Sequence, residues 1–123
     1  MTITTTEGVY AGEFLISEGE GSISRDAIVI ASGEGELSAG AVLGKITASG
    51  KYAAYDNSAS DGTQVAVGVL YSGVDATDDD VKAVAITRLA EVKTSLLVYQ
   101  SSQDSTAKTA AIADLKTLYV IAR

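Results

Sequence analysis

With 123 residues, 9 Lys+Arg against 16 Asp+Glu and a formal net charge of -7, the chain is an acidic protein of single-domain size. It contains no Cys, His, Pro or Trp, which excludes disulfides, thiolate zinc sites, thiol nucleophiles, imidazole bases and imidazole metal ligands. The acid excess argues against nucleic acid as a partner, because duplex binding needs Lys and Arg to neutralise phosphates, and it points to a mechanical or adhesive role.

In chain order, the Thr-rich start, residues 1–7, cannot anchor itself in a core and reads as disorder or an extended arm. A first strand is expected over residues 9–16, followed by a polar turn at Ser17-Glu18-Gly19-Glu20-Gly21. Ala27-Ile28-Val29-Ile30-Ala31 reads as a short buried strand. Ser32-Gly33-Glu34-Gly35-Glu36 echoes the first Gly/Glu stretch and reads as a second turn. Neither GxG triplet extends to GxGxxG, and Glu20, Glu34 and Glu36 would repel an anion, so no phosphate loop is expected.

Residues 41–47 and 50–55 read as the arms of a hairpin whose three-residue connection ends in a left-handed Gly50. Residues 56–62 form a surface loop of side chains that bond their own backbone. In the strand expected at residues 65–71, Val65, Val67, Val69 and Tyr71 share one face and Ala66, Gly68 and Leu70 the other, so both faces are covered. Residues 81–92 fit either a helix begun by Asp78-Asp79-Asp80 or a β-branched strand, and the alternation of Val84 and Ile86 favours strand. The one clear helix starts at Asp104 or Ser105 and places Ala107, Ala111, Leu115 and Leu118 on one face. Tyr119-Val120-Ile121 closes the chain as a strand.

Other site chemistries fare poorly. Asp75 with Asp78, Asp79 and Asp80, and Asp56 with Asp61, lack calcium-loop spacing and read as solvated acidic turns. Paired carboxylates without Trp do not make a glycosidase cleft, and no acidic-Gly motif of a nucleotide hydrolase is present. Tyr52 and Tyr55 fall on opposite faces of their strand and so form no sugar platform, while Tyr71 and Tyr99 read as core or subunit-contact residues. No run of 18 apolar residues occurs, so no membrane partner is expected. The start lacks the features of a signal peptide, so synthesis and residence in a cytoplasm are expected. No catalytic, cofactor or metal residues are assigned.

The order Gly40-Ala41-Val42-Leu43-Gly44-Lys45-Ile46-Thr47, Gly50-Lys51-Tyr52, Ser60-Asp61-Gly62, Val67-Gly68-Val69-Leu70, Val74-Asp75-Ala76 and Ala83-Val84-Ala85-Ile86 resembles the head decoration protein family of tailed phages. The helix followed by a short last strand is similar too. Family members often carry a Pro-containing N-terminal arm and a Trp-Pro pair before the helix; here that place reads Leu97-Val98-Tyr99-Gln100.

The resemblance implies a mainly β, β-clip-like fold with one short C-terminal helix, as a single domain over residues 14–123 behind a flexible arm at residues 1–13. It implies a homotrimer on the outer surface of the expanded capsid, at three-fold and quasi-three-fold positions, clamping neighbouring major capsid proteins against DNA pressure. Before joining the virion, the protein would reside in the host cytoplasm. The arm, with Thr2, Ile3, Thr4, Thr5, Thr6, Glu7, Val9 and Tyr10, would add a strand to the capsid protein, as its β-branched content favours. Gly40, Gly44, Lys45, Gly50, Tyr52, Asp61, Gly62 and Gly68 would be the structural residues of the family motif. The competing expectation is a trimeric β-rich fibre, receptor-binding or carbohydrate-binding module.

Overall fold

Short β-branched runs interrupted by Gly and Asp dictate short strands, and ten of them are present in the computed structural model, which describes residues 12–19 and 23–123. In order they are β1 (Leu15–Glu18), β2 (Arg25–Ile30), β3 (Gly35–Leu37), β4 (Val42–Lys45), β5 (Tyr52–Ala54), β6 (Gly68–Leu70), β7 (Val74–Ala76), β8 (Val81–Ile86), β9 (Ala90–Val92) and β10 (Val120–Ala122). A single 3-10 turn, Thr94–Leu96, follows β9, and helix α1 (Ser105–Thr117) precedes β10. The protein is thus mainly β with one C-terminal helix, as the sequence implied.

Strands β2-β5-β4-β6-β8 close a barrel, β1-β9-β10 form a three-stranded sheet, and β3 pairs with β7. Alternation in the barrel strands sends neighbouring residues to two different cores. Ile28, Ile30, Leu43, Leu70 and Ala85 fill the barrel interior with Ala41 and Ala76. Val42, Val69 and Ile86, from the same strands, face outward onto Phe14, Val92, Val120 and the helix residues Ala107, Ala111 and Leu115. That two-sided burial is why β4 and β6 carry apolar residues at successive positions. Asp104 caps α1 by accepting from the Ala107 N–H at 2.9 Å, satisfying a donor left over at the helix start. The Tyr55 hydroxyl, buried between the barrel and the helix, donates to the Ala107 carbonyl at 3.0 Å.

Several boundaries differ from expectation. The first strand begins only at Leu15, because Gly12, with φ 69°, starts a turn in which the Leu15 N–H bonds the Gly12 carbonyl at 3.0 Å. Ser17 and Glu18, read as turn, complete that strand by pairing with Glu91 and Ala90. The second Gly/Glu stretch contributes Gly35 and Glu36 to β3, where β7 supplies the pairing that three residues with little β-propensity cannot specify alone. The strand expected over residues 65–71 shortens to Gly68–Leu70, with Val65 exposed. Residues 81–92 are strand, but Leu89, at φ 52°, splits them into β8 and β9, which enter different sheets. The hairpin loop is one residue longer than expected: the Ile46 carbonyl accepts from Gly50 (2.8 Å) and the Ile46 N–H donates to Lys51 (2.8 Å), leaving residues 47–50 between them. No helix among the described residues is long and apolar enough to cross a membrane.

Candidate functional site

The motif residues fall into one corner and two outlying positions. The Thr47 N–H donates to the Asp61 carbonyl at 2.9 Å, and the Asp61 carboxylate accepts from the Thr63 N–H and hydroxyl at 3.0 and 2.6 Å. At Gly62, φ is 113°, and an added Cβ would overlap the Lys45 carbonyl and stand 2.5 Å from Thr47 Oγ1. A Cβ on Gly44 would come 2.5 Å from Thr63 Cα. Glycine is therefore required at both places so that the loop over residues 56–64 can lie flat on β4. Lys45 stands 5.8 Å from the Tyr52 ring centroid, and Gly50 (φ 76°) turns the hairpin. Gly40 and Gly68 lie apart from this corner, Gly40 bonding the Leu70 carbonyl at 2.8 Å and Gly68 packing near the Ile86 carbonyl. Residues 2–10, the arm, lie outside the described residues, and residues 1–13 reach them only at Gly12 and Glu13.

Sequence reasoning missed a second region, at one end of the β1-β9-β10 sheet. Leu89 and Tyr119 are the two described non-glycine residues with positive φ, 52° and 61°, and both side chains are exposed. Backbone bonds hold them there. The Leu89 carbonyl accepts from Gly19 N–H and from the hydroxyl of the fully buried Ser24, each at 2.9 Å, while the Ala90 N–H donates to the Tyr119 carbonyl at 3.0 Å. Ile23, beside Leu89 and Gly19, is also exposed. So is Ile16, which is the extra residue where the β1–β9 register shifts. Apolar side chains held outward on strained backbone have no purpose in the core. One sequence signal was available: Tyr119 follows the helix cap, where Gly or Asn is the usual residue.

Ion pairs fix the rim of this region. Arg25 grips Glu18 at 2.6 and 3.0 Å and stacks 4.2 Å from the Tyr71 ring centroid. Arg25's hydrogen bond holds the Glu18 carboxyl below its usual range despite partial burial. Burial would raise Asp26, but bonds from Arg88 (2.5 Å) and Thr87 (2.9 Å) outweigh it and lower its pKa. Arg123 pairs with Glu91, which Ser17 also bonds at 2.8 Å.

The acidic turns satisfy themselves. Asp75 accepts from Thr77, Asp56 from Ser58, and Asp80 from Lys51 and the Ser32 N–H. These bonds lower the pKa of each. Among the described residues no cluster of three or more acidic side chains is placed to hold a metal ion. Of the tyrosines, Tyr55 is core, Tyr52 faces the other side of its strand, and Tyr71 and Tyr99 pack half-buried against the outer core.

What this surface offers is extended backbone, apolar side chains and fixed charge pairs, the elements of protein docking. No curated protein matches the chain. The sequence model of the family described as Bacteriophage lambda head decoration protein D matches residues 4–120. Members of that family are structural proteins of the phage head that bind the capsid, and they are not enzymes. Matching nearly end to end, the chain belongs to the bacteriophage lambda head decoration protein D family and is a capsid decoration protein of the virion surface.

Proposed function

We propose that this decoration protein works as a homotrimer on the outer face of the expanded capsid. It occupies three-fold and quasi-three-fold positions and clamps neighbouring major capsid proteins against the pressure of packaged DNA. The observation that carries the reading is the family match over residues 4–120. Two features support it. The exposed apolar residues Ile16, Leu89 and Tyr119, with Ile23 beside them, offer a contact surface at one end of the sheet that contains β1, the strand nearest the N-terminal segment. The net charge of -7 keeps free copies soluble in the host cytoplasm and suits an outer position rather than a DNA-lined one.

Capture is assigned to the arm, residues 1–13, whose Thr2, Ile3, Thr4, Thr5, Thr6, Glu7, Val9 and Tyr10 favour an extended strand able to pair with a capsid sheet edge. The remaining chain, residues 14–123, is the clamp. A trimer engaging several capsid subunits at once multiplies individually weak contacts, and closed three-fold symmetry leaves no surface for open-ended growth.

Purified protein mixed with expanded, undecorated heads should co-sediment to a saturable level, and deletion of residues 2–10 should abolish capture while the melting transition persists. Failure of the intact protein to bind any head form overturns the reading and returns attention to a fibre or receptor-binding role. Equal binding by the truncated protein overturns the arm assignment alone. Light scattering measures the trimer.

A further inference from the structure

The barrel is closed unevenly. β2 runs antiparallel to β8 from Arg25↔Ile86 to Ile30↔Val81, but its other edge meets β5 at one pair, Ile30↔Tyr52, with the Ala31 N–H bonding the Tyr52 carbonyl at 2.9 Å. The Thr87 N–H donates to the Ser24 carbonyl at 2.9 Å. Because bonded and non-bonded pairs alternate along an antiparallel ladder, Asp26, Ile28 and Ile30 spend their main-chain groups on β8. Arg25, Ala27 and Val29 turn theirs the opposite way. There, no strand among the described residues reaches Arg25 or Ala27.

Beyond this free edge lies an open cleft of about 730 Å³ between β2 and the β4–β5 hairpin, lined by Ala27, Val29, Tyr52 and three lysines, Lys45, Lys51 and Lys82. Half of the chain's six lysines line one cleft of a protein with a net charge of -7. The acid in the cleft, Asp26, is occupied by Arg88 and Thr87. Lys51 holds Asp80 at 2.7 Å, whereas Lys45 and Lys82 have no carboxylate partner among the described residues.

From this combination we infer that the cleft receives an extended acidic segment of the capsid protein, added as a strand to the free edge of β2. The outward main-chain groups of Arg25 and Ala27, short of the Val29 position where β5 is already paired, match a strand of about three residues. Lys45 and Lys82 select acidic side chains on it. Charge disfavours residues 2–10 of a neighbouring copy as the occupant, since that segment carries a single acid, Glu7. The inference rests on the capsid-docking reading above. It makes each copy a receiver of a strand as well as a donor.

Amide hydrogen exchange over residues 25–30, read by mass spectrometry on free protein and on protein bound to expanded heads, tests it. The Arg25 and Ala27 amides should exchange about tenfold or more slowly on the head, as newly bonded amides do. Ala27→Pro, which removes an N–H with no partner among the described residues, should weaken head binding at least about tenfold. The Lys45→Gln/Lys82→Gln double variant should slow capture roughly tenfold at low salt and match the wild type near ~0.5 M salt, where exposed charges are screened. Should Ala27→Pro fail to fold, the lysine pair and the exchange readout still decide. Wild-type binding with unchanged exchange, or with both variants binding as wild type, overturns this inference and leaves the docking reading standing. Absence of wild-type binding overturns both. Protection that appears in concentrated head-free protein identifies a second copy as the occupant and overturns the capsid strand.

Discussion

Tyr119 allows folding and docking to be separated at one residue. It lies just after Leu118, the C-cap of α1, at φ 61°, and its side chain is 69% exposed. A left-handed conformation costs an L-residue about 1–2 kcal/mol. About a third of a tyrosine surface of roughly 200 Å² contacts the fold, contributing about 1.5 kcal/mol at ~25 cal/mol per Å². Tyr119→Gly loses that contact but relieves the strain, so the two effects nearly cancel. Tyr119→Ala loses the contact and keeps the strain, for a net loss of about 1.5 kcal/mol. With an unfolding entropy of ~2.1 cal/mol/K per residue, 1 kcal/mol shifts Tm by about 4 °C in a chain this long.

The expected melts therefore differ. Tyr119→Gly stays within about 2 °C of the wild type, and Tyr119→Ala falls by about 6 °C, both at one fixed protein concentration. Helix and strand interiors show the reverse order, Gly below Ala. Head binding should not follow stability. Both variants lack the ring, so both should bind expanded heads about ten- to thirtyfold more weakly, as truncation of an aromatic anchor does. Tyr119→Gly with wild-type Tm and wild-type binding would refute a docking role for the residue. A Tyr119→Gly less stable than Tyr119→Ala would refute the strain argument.

Three further outcomes are expected. The Tyr99 hydroxyl is buried with no hydrogen-bond partner among the described residues, so Tyr99→Phe should raise Tm by about 4 °C, corresponding to about 1 kcal/mol of relieved desolvation; a lower Tm contradicts this. Gly62→Ala forces a side chain at φ 113° against the Lys45 carbonyl and should cost about 3 kcal/mol, lowering Tm by about 12 °C; an unchanged melt would show that the loop rearranges. Hydrogen bonds from Arg25, Ser58, Thr63, Thr77, Lys51 and Ser17 hold Glu18, Asp56, Asp61, Asp75, Asp80 and Glu91 below their ordinary pKa, and Arg88 and Thr87 do so for Asp26 against its burial. Depressed carboxylates stabilise the fold above their unfolded pKa values near ~4 and lose that contribution as pH falls through the folded ones. With no His in the chain, Tm should be flat from about pH 7 to 5 and decline below about pH 4; a decline between pH 7 and 5 contradicts the assignment.

Legibility in the sequence followed how local the determining forces are. Helix α1 was readable because its cap and its face are set within one segment: Asp104 caps, and Ala107, Ala111 and Leu115 recur at helical spacing. The β4–β5 hairpin was readable because Gly50 marks the turn. Strands β3 and β7 were not, since Gly35–Leu37 and Val74–Ala76 become strands only through each other. The split at Leu89 was hidden because Leu carries no turn preference; the buried Ser24 hydroxyl, 65 residues away, imposes it. The lysine cleft could not be read at all. It exists because β2 outruns its contact with β5, a property of register between distant segments.

The described non-glycine residues held at positive φ are not scattered through the molecule. Helix cap, helix face and hairpin glycine agree with their surroundings, as a chain selected only for folding would have them. That backbone strain gathers around β9. Leu89 precedes it at positive φ, Tyr119 bonds its first residue, and Ile16 bulges from the β1 strand that pairs with it. Phe14, fully buried, ties the start of this sheet to the outer core through its carbonyl, which accepts from Lys93 N–H at 2.7 Å. At the same end, on the opposite edge strand, the Arg123 N–H bonds the Val92 carbonyl at 2.9 Å and its side chain pairs with Glu91. The strained residues thus sit at one end of a three-stranded platform whose far end is tied on both edge strands, and whose inner face packs on the outer core. The clamping role proposed above calls for such an arrangement: contact residues held out of their preferred conformations by a frame whose stability does not depend on them.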